Sequence, residues 1–473
     1  MQFTKIALAV AATLVAGHAA AAAVTQADIA TAKTNGTLQE AWLSGASAPT
    51  YNVFAGFALG CDTGTLAVFT NHNQAKKPGS LKDYSAYACQ RGGVVSVMYH
   101  TTAGGSFNAF APHVPNDVDG DGVVGTTALE RVKNLATATC GTTTSVSDTS
   151  MGISYPVTIN CQKVKPATSP DSAIALPQGG FSDVEAGLFG VDVSAYGTQS
   201  GAMIGQVFGV AVSTPLYRAM QVDQGIYADL ATANANDASF DPANAPNITS
   251  AQYAAIAQSG GGYQANWSLL LPNASASDKA KTIYLMRRVP TSGTQASSNA
   301  FFMKNPCANG TNGGLLVPAA ANESTTSFVV TEDSSSSTLK GNMSTHGTNG
   351  NFAIGVLSLE NNLAADGLNA RYLKLDGVHP EANDPDGEAR HTTVSSNYGF
   401  GMEMVNFVPS SAVGTFGATL IGEITAALGA PSNCSDVPRG LYLDPQGGAC
   451  TVGVETHKGT KFGNNCAPAQ LFF

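Results

Sequence analysis

Tyr284 to Phe302 reads YLMRRVPTSGTQASSNAFF, and the change of character within it decides the fold class. Thr282 to Met286 is a short continuous apolar run, which suits a strand in a sheet covered on both faces. Ser292-Gly293-Thr294 then opens a helix that runs through Phe301 and Phe302, because small hydroxyl residues satisfy the first helical N–H groups. Strand, tight polar loop and helix in that order form the repeating unit of an α/β protein. The junction also has a chemistry. First-turn N–H groups are unpaired and the helix dipole is positive there, so residues as small as Ser292, Gly293 and Thr294 let an oxyanion approach closely. Arg288 adds a charge-assisted donor.

The same signals recur on either side. Gly92 to Tyr99 (GGVVSVMY), Gly205 to Val212 (GQVFGVAV) and Phe352 to Leu357 (FAIGVL) read as further buried strands. Ser47-Ala48-Pro49 precedes a helix over Tyr51 to Leu59, with Pro in the first turn where its missing N–H costs nothing. Ser182-Asp183-Val184-Glu185 has the spacing of a capping box at the start of another helix. Pro112 to Pro177 differs, being rich in Thr, Ser, Asp and Cys with weak periodicity, and reads as an insertion. Ser334 to Ser337 and Asp376 to Arg390 read as loops, and Ser432 to Cys466 as a Cys-containing tail. For any one of the polar loops, the alternative is an ordinary cap or turn.

Of 473 residues, 12% are charged, against about 25% in an average soluble domain. The net charge of -10 repels phosphate backbones and anionic lipid at long range, which argues against nucleic-acid and membrane-surface partners. Residues 1–23 carry Lys5, an apolar stretch from Ile6 to Ala16 and a small-residue run to Ala23, the pattern of a secretory signal peptide. No later window is apolar for about 18 residues, and no Cys follows the leader, so neither a membrane span nor a lipid anchor is expected. A periplasmic or secreted location follows. The eight Cys read as up to four disulfides in such a compartment. Spacing favours Cys61 with Cys89, Cys140 with Cys161, and two pairs among Cys307, Cys434, Cys450 and Cys466. None forms CxxC, which argues against zinc or redox roles.

The segment from Tyr284 to Phe302 resembles the R-x-D-x-S-G-T stretch of the periplasmic phosphate-binding proteins of ABC transporters, a family with the type 2 periplasmic-binding-protein fold. Arg288, Ser292, Gly293 and Thr294 take matching positions, and Pro290 stands where that family has Asp. Leu43 to Pro49 (LSGASAP) is similar to the family's opening strand and anion-binding loop, with Ser47 and Ala48 in the binding places. Ala103 to Phe107 (AGGSF) is similar to its Gly-Ser-Gly-Gly turn, with Ser106 as the hydroxyl donor. Phe181-Ser182-Asp183 resembles its Ser-Asp loop, with Asp183 as the carboxylate facing the ligand. Ile248 to Leu270, with Trp267, and Phe352 to Ala364 keep the same chain order.

The resemblance implies two α/β lobes closing over a cleft by a hinge, the first lobe made from a discontinuous chain. It implies lobe I over residues 24–208 and 356–473, carrying the insertion at about 112–177 and the tail at about 432–466, and lobe II over 209–355. It implies capture of phosphate or a similar oxyanion, with no catalysis and no required cofactor, and delivery to an ABC permease. A carboxylate beside the ligand favours a protonated oxyanion, which can donate a hydrogen bond, over sulfate. Taken alone, Arg288 reads equally as a salt-bridging residue, Asp183 as a helix cap and Ser106 as a turn serine.

Asp117, Asp119 and Asp121 fit the first half of a calcium loop, D-x-D-x-D-G, although the twelfth position is Ala128 and Glu130 lies two residues late. Structural calcium and an Asx-turn surface loop are both open readings. Ser337 to Lys340 matches S-x-x-K without a K-T-G partner, and no G-x-S-x-G occurs, so serine-hydrolase chemistry has no support. The rival to a transport role is a secreted protein of the same fold serving at a surface, in adhesion or in a matrix.

Overall fold

A computed structural model describes residues 22–471 apart from 82, 170, 172–173, 237–240, 260–265, 308–316, 322, 382–389, 431–438 and 445–455. The leader through residue 21, Cys434, Cys450 and Asp384-Pro385-Asp386 lie outside the described residues.

The apolar runs become strands of one fourteen-stranded mixed sheet. In chain order these are β1 (Gln39–Gly45), β2 (Ala67–Thr70), β3 (Tyr84–Arg91), β4 (Val94–Thr101), β5 (Thr143–Asp148), β6 (Ile153–Thr158), β7 (Gly180–Ser182) and β8 (Gly197–Ser213). There follow β9 (Ile283–Arg288), β10 (Phe328–Asp333), β11 (Ala353–Ser358), β12 (Ala370–Tyr372), β13 (Gly401–Pro409) and β14 (Leu441–Leu443). Across the sheet the order is β10, β9, β11, β8, β13, β7, β1, β4, β3, β2, β6, β5, with β12 and β14 also pairing with β8. The helices that cover it include α1 (Gln26–Thr34), α2 (Thr50–Leu59), α3 (Thr214–Asp223), α4 (Ser250–Ala257), α5 (Gly293–Met303), α6 (Ser336–Thr348) and α7 (Phe416–Leu428).

Two main cores make two lobes. In one, Val53, Phe54 and Phe57 of α2 meet Leu420 and Ile424 of α7 over Leu43 and Met98. In the other, Leu216 of α3, Tyr253 of α4 and Phe302 of α5 pack with Met286 and Ile354. The lobes share their connecting strands. Ala202 and Ile204 of β8 belong to the first core and Val207 to Val212 to the second, while β13 gives Met404 to the first and Met402 to the second. The β8–β13 register shifts between Gly201 and Gly205, marking a bulge near that crossing.

Several local expectations are revised. Ser182-Asp183-Val184-Glu185 opens no α-helix: only a single 3-10 turn, Ala186–Phe189, follows. The Ser182 hydroxyl donates to the Val184 carbonyl at 2.6 Å, and the Glu185 carboxylate accepts from Asn465 in the tail, so neither side chain forms the reciprocal cap. Ser334 to Ser337 is not a loop throughout: Ser335 caps α6 by accepting from the Thr338 N–H. Residues 359–400, expected with the first lobe, put Leu359, Tyr372, Val394, Tyr398 and Phe400 into the second core, and the chain returns along β13. The insertion contributes β5 and β6, which extend the first lobe's sheet beyond β2.

Cys61–Cys89 and Cys140–Cys161 form the two expected local disulfides, and Cys307 pairs with Cys466 across 159 residues. Among the described residues no helix is long and apolar enough to cross a membrane.

Candidate oxyanion site

Two loops meet α5 at the boundary between the lobes. The Gly104-Gly105-Ser106 turn follows β4, and Thr291-Ser292 follows β9. They touch directly: the Phe107 N–H donates to the Thr291 carbonyl at 3.0 Å, and the Thr291 hydroxyl donates to the Gly104 carbonyl at 2.8 Å. Gly105 has φ +94°, and a Cβ there would lie 2.7 Å from the Thr291 oxygen, so both its conformation and its contact require glycine.

Asp183 enters from the end of β7, and its Oδ2 accepts a 2.7 Å hydrogen bond from the Ser106 hydroxyl. Both residues are buried, at 7% and 2% exposure. Gly293, the first residue of α5, closes the group. A Cβ on it would come within 2.5 Å of Asp183 Oδ2 and 2.6 Å of Ser106 Oγ. Sequence segments 77 and 187 residues apart are thus packed into one seam.

The donors at this seam are only partly used. The first intrahelical bond of α5 runs from the Ala296 N–H to the Ser292 carbonyl, so the N–H groups of Gly293 and Thr294 precede it. Ser292 caps with its backbone, not its hydroxyl. The hydroxyls of Ser292 and Thr294 make no hydrogen bond among the described residues, although both residues are buried, at 2% and 4% exposure. Neither hydroxyl oxygen is fully enclosed, so each can be met by water or by a ligand oxygen.

Arg288 is buried at the end of β9. Its Nε donates to the Asp333 carbonyl at 3.1 Å, one terminal nitrogen to Ser336 Oγ at 2.7 Å and the other to the Ser334 carbonyl at 3.0 Å. A guanidinium has five N–H donors, so two are left over. Burial pulls its pKa below the ordinary arginine value, while the charges of Asp183, Glu360 and Asp333 hold it up. Asp333 is pushed above the usual carboxylate range by burial, against the pull of its Asn342 hydrogen bond and of Arg288.

Of the expected residues, Ser106, Asp183, Ser292 and Gly293 gather at this seam, with Arg288 beside it, while Thr294, next along α5, lines a small space with Tyr253, Ala257 and Leu285. Ser47 and Ala48 lie on the turn after β1, which pairs with β7 through Ser44 to Gly180 and Gly45 to Phe181, and so approach the same sheet end as Asp183. They make no hydrogen bond to the cluster; the Ser47 carbonyl instead accepts from the Thr50 hydroxyl at 2.6 Å. Their own N–H groups donate to no protein acceptor among the described residues. Ser334, Ser336 and Thr291 were not expected, since a serine run and a lone threonine carry no spacing that points to an arginine or to a glycine turn.

The carboxylates of Asp117, Asp119 and Asp121 present oxygens within 4.8 Å of one another on an exposed loop. The loop is also stabilised from within. The Gly122 N–H donates to Asp117 Oδ1 at 3.0 Å and the Val123 N–H to Asp121 Oδ1 at 2.7 Å. Glu130 is no fourth ligand: its carboxylate takes Lys163 at 2.8 Å. The donor set fits a hard cation only through three carboxylates and water.

No protein-family model and no curated protein matches the chain. Among solved structures, one from Clostridium perfringens, assigned as a phosphate ABC transporter substrate-binding protein and holding phosphate, covers 86% of this chain and 100% of its own at 10% identity and a TM-score of 0.39. An ABC-type phosphate transport receptor from Vibrio cholerae covers 52% of this chain and 72% of its own at 11% identity and a TM-score of 0.30. PstS from Borrelia burgdorferi covers the same shares at 12% identity and a TM-score of 0.28.

Proposed function

We propose that the protein is an exported solute-binding protein that captures phosphate or a similar small oxyanion between its lobes and performs no covalent chemistry. The observation that supports this most directly is the buried convergence of Ser106, Asp183 and Gly293 beside the unspent hydroxyl of Ser292. The N–H groups of Gly293 and Thr294, the two remaining Arg288 donors and the N–H groups of Ser47 and Ala48 supply further oxygen-binding positions. Asp183 can accept a ligand proton once the Ser106 hydroxyl turns to the ligand, and this favours a protonated phosphate over sulfate. An ABC permease would be the acceptor in a transport role.

Calorimetric titration with phosphate and sulfate tests the reading. Phosphate is expected to bind with at least tenfold preference, and Asp183→Asn to remove that preference, a change of about 1.4 kcal/mol. Failure of both anions to bind at millimolar concentration sinks it. One observation favours a rival. Ser106 and Asp183 already satisfy one another and Arg288 is held by the start of α6, so the seam can serve as a permanent lobe contact in a secreted protein without a transport role. In that case Ser106→Ala lowers stability by about 1–3 kcal/mol while no anion changes the melting temperature.

A further inference from the structure

The opposite end of α5 faces a second cavity. It has a volume of about 510 Å³ and lies between the last turn of α5, the start of β13 and the C-terminal tail. An α-helix rises about 1.5 Å per residue, so the eleven residues of α5 put this cavity about 16 Å from the seam. One side is aromatic: Phe301 stacks on Phe400 with ring centroids 4.5 Å apart, and Tyr398 and Tyr442 lie alongside. The Cys307–Cys466 disulfide ties the helix side to the tail side at its edge.

The charges around it are unevenly satisfied. Glu403 is buried, and its carboxylate accepts the backbone N–H groups of Lys461 and of Gly463, the latter at 2.7 Å. Glu185 is taken by both N–H groups of Asn465 at 2.7 and 2.6 Å. The cations have weaker partners. The Lys461 ammonium donates to the Gly401 carbonyl at 3.0 Å and reaches the Met402 sulfur at 4.0 Å, and no carboxylate forms an ion pair with it among the described residues. Lys304 donates to the Phe301 carbonyl at 2.9 Å. Burial lowers the Lys461 pKa, Glu403 and Glu185 raise it, and the charge of Lys304 lowers it further, so the two ammonium groups feel one another across this space. Thr393, 1% exposed, also lines the cavity, and its hydroxyl has no hydrogen-bond partner among the described residues. Buried polar atoms are nearly always partnered, so this enclosed hydroxyl would gain an acceptor if its side chain turned toward a ligand in the cavity.

We propose that this cavity binds a small organic monocarboxylate, its apolar body against Phe301, Tyr398 and Tyr442 and its carboxylate between Lys461, Lys304 and the Thr393 hydroxyl. Glu403 and Glu185 offset the lysine charges from a distance, and a ligand carboxylate supplies the direct ion-pair partner that neither ammonium has among the described residues. The volume lies within the range of small-molecule sites, about 300–1,000 Å³. Bulk phosphate meets neither need of the aromatic wall. This inference is independent of what binds at the seam.

The test uses the full chain with phenylacetate and its uncharged amide, phenylacetamide, as probes, followed by saturation-transfer NMR and calorimetry. Phenylacetate is expected to bind at least tenfold more tightly than the amide, and Lys461→Met to abolish that preference. Thr393→Val is expected to weaken phenylacetate three- to tenfold. Lys304→Met, at an exposed position, gives a second variant that keeps the fold, and a threefold or greater weakening is expected. Phosphate titrated into a phenylacetate-saturated sample leaves the phenylacetate signal unchanged. Equal binding of acid and amide, absence of phenylacetate binding at millimolar concentration, or full retention of preference in both lysine variants would overturn the proposal.

Discussion

One buried aspartate and one exposed cluster of three offer carboxylate oxygens, and burial separates what each can do. Asp183 sits in a seam at 7% exposure, paired with a hydroxyl and within contact distance of Gly293, and its charge acts on the buried Arg288. Asp117, Asp119 and Asp121 present oxygens within 4.8 Å of one another, yet all three are exposed, and Asp117 and Asp121 lean on N–H groups of their own loop. In water a cluster of charges is screened and its hydrogen bonds are replaceable, whereas at the seam every unmade bond has a cost. Clustering of acids is therefore a weaker sign of a site than one carboxylate held among unspent donors.

The largest expected effect comes from filling the seam. Gly293→Ala adds a Cβ that must displace the Asp183 carboxylate or the Ser106 hydroxyl, with about 1–3 kcal/mol of overpacking, and phosphate affinity should fall ten- to hundredfold. Calorimetry and thermal melts read the two parts separately. Unchanged affinity would mean that the seam yields freely and that the contrast with the exposed loop is overstated.

Burial also confers acid sensitivity on this side of the molecule. His100, on β4 at 3% exposure, has its pKa lowered by burial to about 4, and His113 is likewise lowered to about 4, with a smaller raising contribution from a hydrogen bond to the Pro177 carbonyl. Unfolded histidine binds a proton near pH 6.5, so between about 6.5 and 4 the unfolded chain takes up protons that the folded chain refuses. Stability is full above this window and falls as pH drops through it, by up to about 3 kcal/mol for His100. Denaturant titrations from pH 7 to pH 4 should show this slope, and His100→Gln should flatten it. An unaltered slope in the variant would assign the sensitivity to other groups.

The smallest effect belongs to the exposed loop. Asp119→Asn is expected to shift stability by no more than about 0.5 kcal/mol, with or without millimolar calcium. A calcium-dependent rise in melting temperature that Asp119→Asn removes would turn the comparison around and make the loop a metal site.

The strand–loop–helix unit at Tyr284 to Phe302 was legible because a fully covered strand writes itself as consecutive apolar residues and a helix start as small hydroxyl ones. The tetrapeptide at Ser182 to Glu185 misled for a physical reason. A capping box presumes that its acid is free to fold back, but Glu185 is claimed by Asn465, 280 residues away. The start of α6 was hidden by repetition: with four serines in a row, nothing in the sequence says that Ser335 caps the helix while Ser336 receives Arg288. Such long-range pairings, like Cys307 with Cys466, leave no local pattern. The individual candidates Ser106, Asp183 and Gly293 were readable as residue types; that a β-carbon would not fit between them was not.

β8 has a mechanical consequence. A seventeen-residue strand that is hydrogen-bonded into both lobes is a leaf spring, in contrast to a slack tether. Any relative motion of the lobes must flex or twist the ladder it makes with β13, and the displaced register at Gly201 to Gly205 is where that ladder is most compliant. Such motion would be elastic in its return, with the restoring force supplied by the backbone hydrogen bonds of the ladder itself.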